Sequence, residues 1–254
     1  MRVLVTNDDG VHAPGILALT RALVKEGFDV IVVAPLADMS GTSAALGPGH
    51  DDVSVERLHL PDLHDVDVFG VDGPPGLAVM LGYLGAFGEP PDLVASGVNE
   101  GGNTGRSVLF SGTVGAALAA ASFGMSGVAV SQPPGDPWHV EVAAGVAAAA
   151  LTWVAARPRG TVLNVNVPNR PAEELRDVRT GPLAPFGIVR TTLEGRHEGR
   201  LRLVLRDTDE ELDPGSDTML LSQGYVTVNA LVGPRAVDPG DSVEALRRLA
   251  LGRR

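Results

Sequence analysis

The 254-residue chain contains no cysteine. That absence excludes a disulfide framework, thiolate catalysis and cysteine-ligated zinc or iron–sulfur centres. It has no run approaching the ~18 consecutive apolar residues a membrane span requires, so no association with the bilayer is expected. Nor is there a basic stripe. The formal net charge is −11, whereas proteins that grip nucleic-acid polymers present clustered Lys and Arg to the phosphates. The short basic stretch from Arg247 to Arg254 fits charge placement at a helix C-terminus. The opening residues lack a secretory pattern, because only a few apolar residues separate Met1-Arg2 from the polar run Thr6–Gly10. The cytoplasm is the expected compartment. No repeat of fixed period and no long low-complexity linker interrupts the chain.

What is present is a folding core. Hydrophobic residues make up 44% and charged residues 20%, enough apolar surface to exclude global disorder. Short apolar runs read as buried strands at Arg2–Thr6, Phe28–Ala34, Asp92–Ser96, Gly127–Ser131 and Gly160–Val167. Helical patterns lie between them. One starts at Pro14 with Ile16, Leu19 and Leu23 on one face and Gly27 as its stop; others lie near Gly76–Ala86, Thr113–Ser122 and His139–Ala156. Near-continuous apolar strands alternating with helices imply an α/β fold, a parallel sheet covered on both faces. From about Val178 the character changes. Gly187–Thr192, Arg200–Arg206 and Gly224–Leu231 read as strand-like runs of a β-rich extension, either a protruding hairpin for oligomer contacts or added sheet. Asp241–Leu251 is an expected closing helix. One domain is therefore expected over 1–254, with a core to about 175, the extension over 176–235 and a helix and tail over 236–254.

Ligands of open α/β sheets bind where loops converge at the strands' carboxyl ends, and three polar clusters fall there. Thr6-Asn7-Asp8-Asp9-Gly10 follows the first strand. Adjacent carboxylates repel each other unless a cation joins them; a turn or helix cap is the structural alternative. After the second strand comes Asp38-Met39-Ser40-Gly41-Thr42-Ser43, a hydroxyl-rich loop that could supply oxygen ligands or simply be mobile. The third is Gly97 to Gly105, containing Asn99 and Asn103, followed by Ser111-Gly112-Thr113 at the start of an apolar helix. Such a start offers free amides and hydroxyls to an anion, although a serine N-cap alone explains it as well. The loop matches neither the dinucleotide fingerprint nor the phosphate-loop lysine pattern. Together the clusters offer hard oxygen donors without thiolate or paired histidines, which favours magnesium, manganese or calcium over zinc. A hard metal facing an anion-binding helix start suits hydrolysis of a phosphate ester. His12 reads as a solvated surface imidazole rather than an acid–base group.

The motif MRVLVTNDDGVHAPGI at 1–16 resembles the opening of the survival protein SurE family of 5′-nucleotidases. So do VVAP with Ser40-Gly41, SGVNEGGNTG at 96–105, FSGTVGAA at 110–117, LNVNVP at 163–168 and SDTMLLSQGYVTVNAL at 216–231. The resemblance implies a Rossmann-like three-layer α/β core, mostly parallel, with a C-terminal β-hairpin used in a homodimer or homotetramer. It implies one divalent ion per subunit, magnesium or manganese, held by Asp8, Asp9, Ser40 and Asn99. Asp8, Asp9 and Asn99 would serve catalysis, and Asn103, Ser111, Gly112 and Thr113 would lie at the substrate phosphate. The implied reaction is hydrolysis of nucleoside 5′-monophosphates, and of 3′-monophosphates, by water activated at the metal, with either aspartate accepting its proton.

The sequence departs from the family at two places. Gly73-Pro74-Pro75-Gly76-Leu77 stands where the family usually has Gly-Thr-Pro-Ala-Asp, and Leu36 replaces an acidic residue. These changes motivate one rival, a nucleotide-binding scaffold without catalysis. A calcium-dependent nucleoside hydrolase is the other, since such enzymes also carry an N-terminal aspartate cluster.

Overall fold

The computed structural model describes the chain except for residues 48–51, 188, 198–199, 208–211, 237, 239, 241, 243–246 and 248–254. Nearly all of the helix expected over 241–251 falls outside the described residues. Two sheets are present among the described residues. The main sheet is built from β1 (Arg2–Thr6), β2 (Asp29–Pro35), β3 (Val55–Leu58), β4 (Asp67–Val71), β5 (Leu93–Glu100), β6 (Ser126–Gln132), β7 (Val162–Asn166), β8 (Val178–Arg179) and β11 (Val226–Leu231), in the order β3-β4-β2-β1-β5-β6-β7-β11-β8. Its six central strands, β4 to β7, are parallel; β3 and β11 run antiparallel to their neighbours β4 and β7. A separate antiparallel hairpin joins β9 (Val189–His197) and β10 (Arg200–Asp207). The helices are α1 (Pro14–Lys25), α2 (Pro75–Tyr83), α3 (Gly112–Ser122), α4 (Val140–Ala155) and α5 (Asp217–Ser222).

The apolar strands are explained by double-sided burial. Along β1, Val3 and Val5 face one way and pack with Ile16, Leu19 and Leu23 of α1 and Ala143, Ala147 and Leu151 of α4. Leu4 faces the other way, among Leu77 and Val79 of α2 and Ala116 and Ala120 of α3. A strand's side chains alternate faces, so a run without polar interruption is what a sheet covered on both sides requires. The alanine-rich helices allow close approach. At Gly115 an added Cβ would lie 2.2 Å from the Ser43 carbonyl oxygen, and at Gly15 1.9 Å from that of Val98.

The structure decides between the two readings of the β-rich extension and differs from the sequence reading in two further features. The run at 224–231 belongs with the main sheet, where β11 pairs with β7, because its apolar residues Val226 and Val228 complete the core beside Val165. The third strand continues past Ser96 to Glu100, with an irregular register between Ser96 and Asn99; glycine and asparagine there resemble a loop locally. The edge pair β3 and β4 and the six-residue α5 also escape the pattern, being short or half-exposed. The Gly76-Leu77 departure is a packing change: Leu77 is buried in the core, and a Cβ on Gly76 would meet the Ala45 carbonyl oxygen at 2.6 Å.

Candidate functional site

The chain leaves β1 for β2 on one side and returns to β5 on the other, so the sheet's switch point lies between β1 and β5. Loops diverge there and open a crevice at the strands' carboxyl ends. A cleft of about 580 Å³ occupies this place, lined at one end by Asp8, Asp9, Ser40, Asn99 and Glu100, and further along by Asn103, Arg106, Phe110, Ser111 and Phe186. Residues as distant in sequence as Asp8 and Gly187 meet in one wall system. His12 is exposed and is not among the lining residues.

Asp8 is buried, 3% exposed. Its carboxylate accepts the Gly112 amide at 3.0 Å and the Thr113 hydroxyl, so the first turn of α3 faces it with its unpaired donors. Gly112 has no room for a side chain, since a Cβ would come within 2.8 Å of the Asp8 Cβ. Burial raises the Asp8 pKa, and the bonds from Thr113 and Gly112 oppose that shift. Asp9 is half-buried, and its pKa is raised to about 7, first by burial and then by the charge of Asp8, against a bond from the Glu100 amide. Asp38 and Glu100 push it the same way. Among the described residues, no Lys, Arg or His forms a recorded ion pair with either carboxylate. Two carboxylates that repel each other and lack a protein cation form an arrangement that a bound cation would relieve.

The neutral donors converge on the same end. The Asn99 amide nitrogen donates to the Gly101 carbonyl at 2.8 Å, which turns its oxygen toward Thr113, 3.3 Å away, and thereby toward Asp8. Ser40 is exposed; its hydroxyl donates to Asp38 at 2.6 Å and retains lone pairs. Its loop is pinned by the Met39 amide on the Asp8 carbonyl, 2.7 Å, and by Ser43 on Leu109 and Phe110. Among the described residues no three His, Cys, Asp or Glu side chains form a metal-holding group. The oxygen-bearing groups at this end are two carboxylates with an amide and a hydroxyl, which is hard-donor chemistry.

Asn103 and Ser111 line the adjoining part of the cleft. Asn103 is held from beneath. Its amide nitrogen donates to Ser131 at 2.8 Å, its backbone amide donates to Asn166 at 2.8 Å, and its carbonyl accepts from Asn164 and Asn166 at 2.9 and 3.0 Å. Ser111 caps α3, its hydroxyl oxygen accepting the Val114 amide at 3.1 Å, and its own proton stays available. The donors of Gly112 and Thr113 are engaged with Asp8. Sequence reasoning missed the supporting Ser131, Asn164 and Asn166, and also Glu100, Arg106 and Phe186. The signal for the first group was legible: asparagines two apart in an apolar strand share one face, and buried amides need partners.

Comparison with known proteins points the same way. The family described as "Survival protein SurE" matches residues 3–187. A protein of Nitratidesulfovibrio vulgaris named 5′-nucleotidase SurE is 36% identical over 98% of both chains. One of the same name from Geobacter sp. is 38% identical over 91% of this chain and 92% of its own. Among solved structures, the crystal structure of a SurE protein from Aquifex aeolicus superposes with a TM-score of 0.79 at 27% identity, covering 98% of this chain and all of that one.

Proposed function

The chain belongs to the survival protein SurE family, and from that premise we propose that it is a metal-dependent 5′-nucleotidase, releasing phosphate from nucleoside 5′-monophosphates. The single observation that carries the reading is the Asp8–Asp9 pair at the β1/β5 switch point, without a protein cation and backed by the start of α3. We extend it, from the family resemblance, to 3′-monophosphates and to one magnesium or manganese ion per subunit.

Asp8, Asp9, Ser40 and Asn99 would hold the ion, and all four side chains offer oxygen. A divalent ion there supplies positive charge to a phosphoryl group and lowers the pKa of water. The chain's own residues do the rest. Thr113 and Gly112 fix Asp8 and so orient the donor set. Asp9 is less tied than Asp8, which accepts from both Gly112 and Thr113, and it is the carboxylate we assign to receive a proton from water. Asn103, through its second amide hydrogen, and Ser111, through its free hydroxyl proton, donate to the non-bridging oxygens as charge gathers on them. Arg106, Phe110, Pro185 and Phe186 line the far part of the cleft. An exposed aromatic ring offers a face on which a base can stack, and these residues are assigned to the nucleoside.

The oligomer is proposed from the hairpin. Strands β9 and β10 form a sheet of their own, and Leu193 and Leu201 are exposed on it. A lone two-stranded hairpin is marginally stable in water, so burial against a second copy would stabilise it, in a homodimer or homotetramer.

The test is phosphate release from a panel of nucleoside monophosphates, after chelation and again with magnesium or manganese restored. Metal-dependent release that Asp8→Asn abolishes is the expected result. Release of free base would instead establish a nucleoside hydrolase, and nucleotide binding without release would establish a non-catalytic scaffold.

A further inference from the structure

Asp217 is fully buried, opens the short helix α5 and does not line the cleft. Among the described residues it makes no recorded ion pair with a cation. Its carboxylate is met by backbone amides: Gly105 at 2.8 Å on one oxygen, Ala184 at 2.9 Å and Thr218 at 2.8 Å on the other. Gly105 and Ala184 belong to the two segments that wall the far part of the cleft, 104–110 and 184–187. The neighbouring Thr218 hydroxyl lies 3.0 Å from that of Thr104 and 3.3 Å from the Phe186 carbonyl oxygen.

The two segments are zipped together above this carboxylate. The Arg106 amide donates to the Ala184 carbonyl at 2.9 Å. A Cβ on Gly105 would stand 2.5 Å from the Phe186 carbonyl oxygen, and one on Gly187 would stand 2.7 Å from the Ser107 hydroxyl. Hydrogen bonds to an ionised acceptor are stronger than those between neutral groups. A buried carboxylate that accepts amides from two loops therefore holds both at a fixed separation.

We propose that Asp217 is a positioning residue that joins segments 104–107 and 184–187 into one wall, and so sets the affinity for the nucleoside part of the substrate. The proposal rests on the assignment of that wall to the nucleoside. It makes a demand that a generally stabilising residue does not: loss of Asp217 must weaken nucleotides selectively. The metal end, carried by the β1 and β5 loops, and small phosphate esters must be spared. Asp217→Asn is the sharp substitution. Its remaining oxygen can keep Ala184 and Thr218, but its amino group then opposes the Gly105 N–H, donor against donor, and segment 104–107 must retreat.

The experiment is calorimetric titration of the folded, metal-loaded protein with the non-hydrolysable phosphonate analogue of adenosine 5′-monophosphate, alongside steady-state hydrolysis of adenosine 5′-monophosphate itself and of phenyl phosphate, which has no nucleoside. For Asp217→Asn the expected result is roughly tenfold weaker nucleotide binding and a matching rise in KM, from loss of a bond to a charged acceptor. The kcat and the hydrolysis of phenyl phosphate should stay within about twofold, and manganese affinity should not change. Unchanged nucleotide affinity, or an equal loss on both substrates, would overturn the proposal. Should Asp217→Asn fail to fold, Thr218→Val decides by the same readouts, with the same selective pattern expected at about threefold. Should the wild type bind nucleotide but release no phosphate, the nucleotidase reading fails, while the calorimetric comparison still decides the role of Asp217.

Discussion

At the scale of single residues, the electrostatics of Asp9 has consequences in both stability and activity. Its pKa is raised from 3.8 to about 7 in the folded, metal-free protein, so between those values the folded state binds a proton that the unfolded state has released. Stability therefore falls as pH rises through that window and stays low above it; Asp8, also raised, adds in the same direction. The chelated protein is expected to melt lower at pH 8 than at pH 5.5, and Asp9→Asn, inactive, to melt above the wild type at pH 8. Thermal denaturation with a chelator, at the two pH values, measures this. If the two proteins melted alike at pH 8, the carboxylate would not be under strain. Metal affinity runs the opposite way, weakening as pH drops through about 7, because the ion competes with the proton. Gly112 allows a second test. A methyl group there would meet Asp8 within 2.8 Å, so Gly112→Ala should cost on the order of 1–3 kcal/mol of stability. It should also lower metal affinity at least tenfold, read by titration.

Among the elements, α3 acts as the organiser of the site. Its first turn donates to Asp8, its N-cap Ser111 reaches the cleft, and Gly115 lets the loop carrying Ser40 lie against it. Ser111→Ala should remove the cap, at about 1 kcal/mol in denaturant unfolding, and slow the chemical step as well, since the same hydroxyl is assigned to the phosphoryl oxygens. A kcat left unchanged by this substitution would confine Ser111 to the capping role. The second element with a testable role is the β9–β10 hairpin. Replacing Leu193 and Leu201 with aspartate should shift the mass in solution, measured by light scattering, toward the 26.2 kDa monomer while leaving metal affinity unchanged. The sequence revealed these elements unevenly. The strong apolar period of β1, β2, β6 and α1 marks them directly. By contrast, α5 is six residues long and β3 is a four-residue, mostly exposed edge strand, so neither carries enough pattern to stand out before its neighbours are in place.

For the whole molecule, a net charge of −11 opposes an anionic substrate. Screening that field should raise kcat/KM for a nucleoside monophosphate as ionic strength goes from about 10 to 150 mM, where the screening length shrinks to about 8 Å; a salt series that showed a fall would mean local positive charge at the cleft governs capture. The sequence by itself determined the α/β class, through apolar strands long enough for burial on both faces. It also marked the Asp8-Asp9 pair and the asparagine-rich 97–105 stretch as chemically out of place in an apolar chain. Those are local properties, written in composition and period. The partners of these residues were decided only by the tertiary structure. Thr113 meets Asp8 across 105 positions, Asn166 meets Asn103 across 63, and Asp217 meets Gly105 across 112. The sheet order that brings β1 beside β5 creates those neighbours, and no local pattern encodes a contact that exists only once the layers have packed.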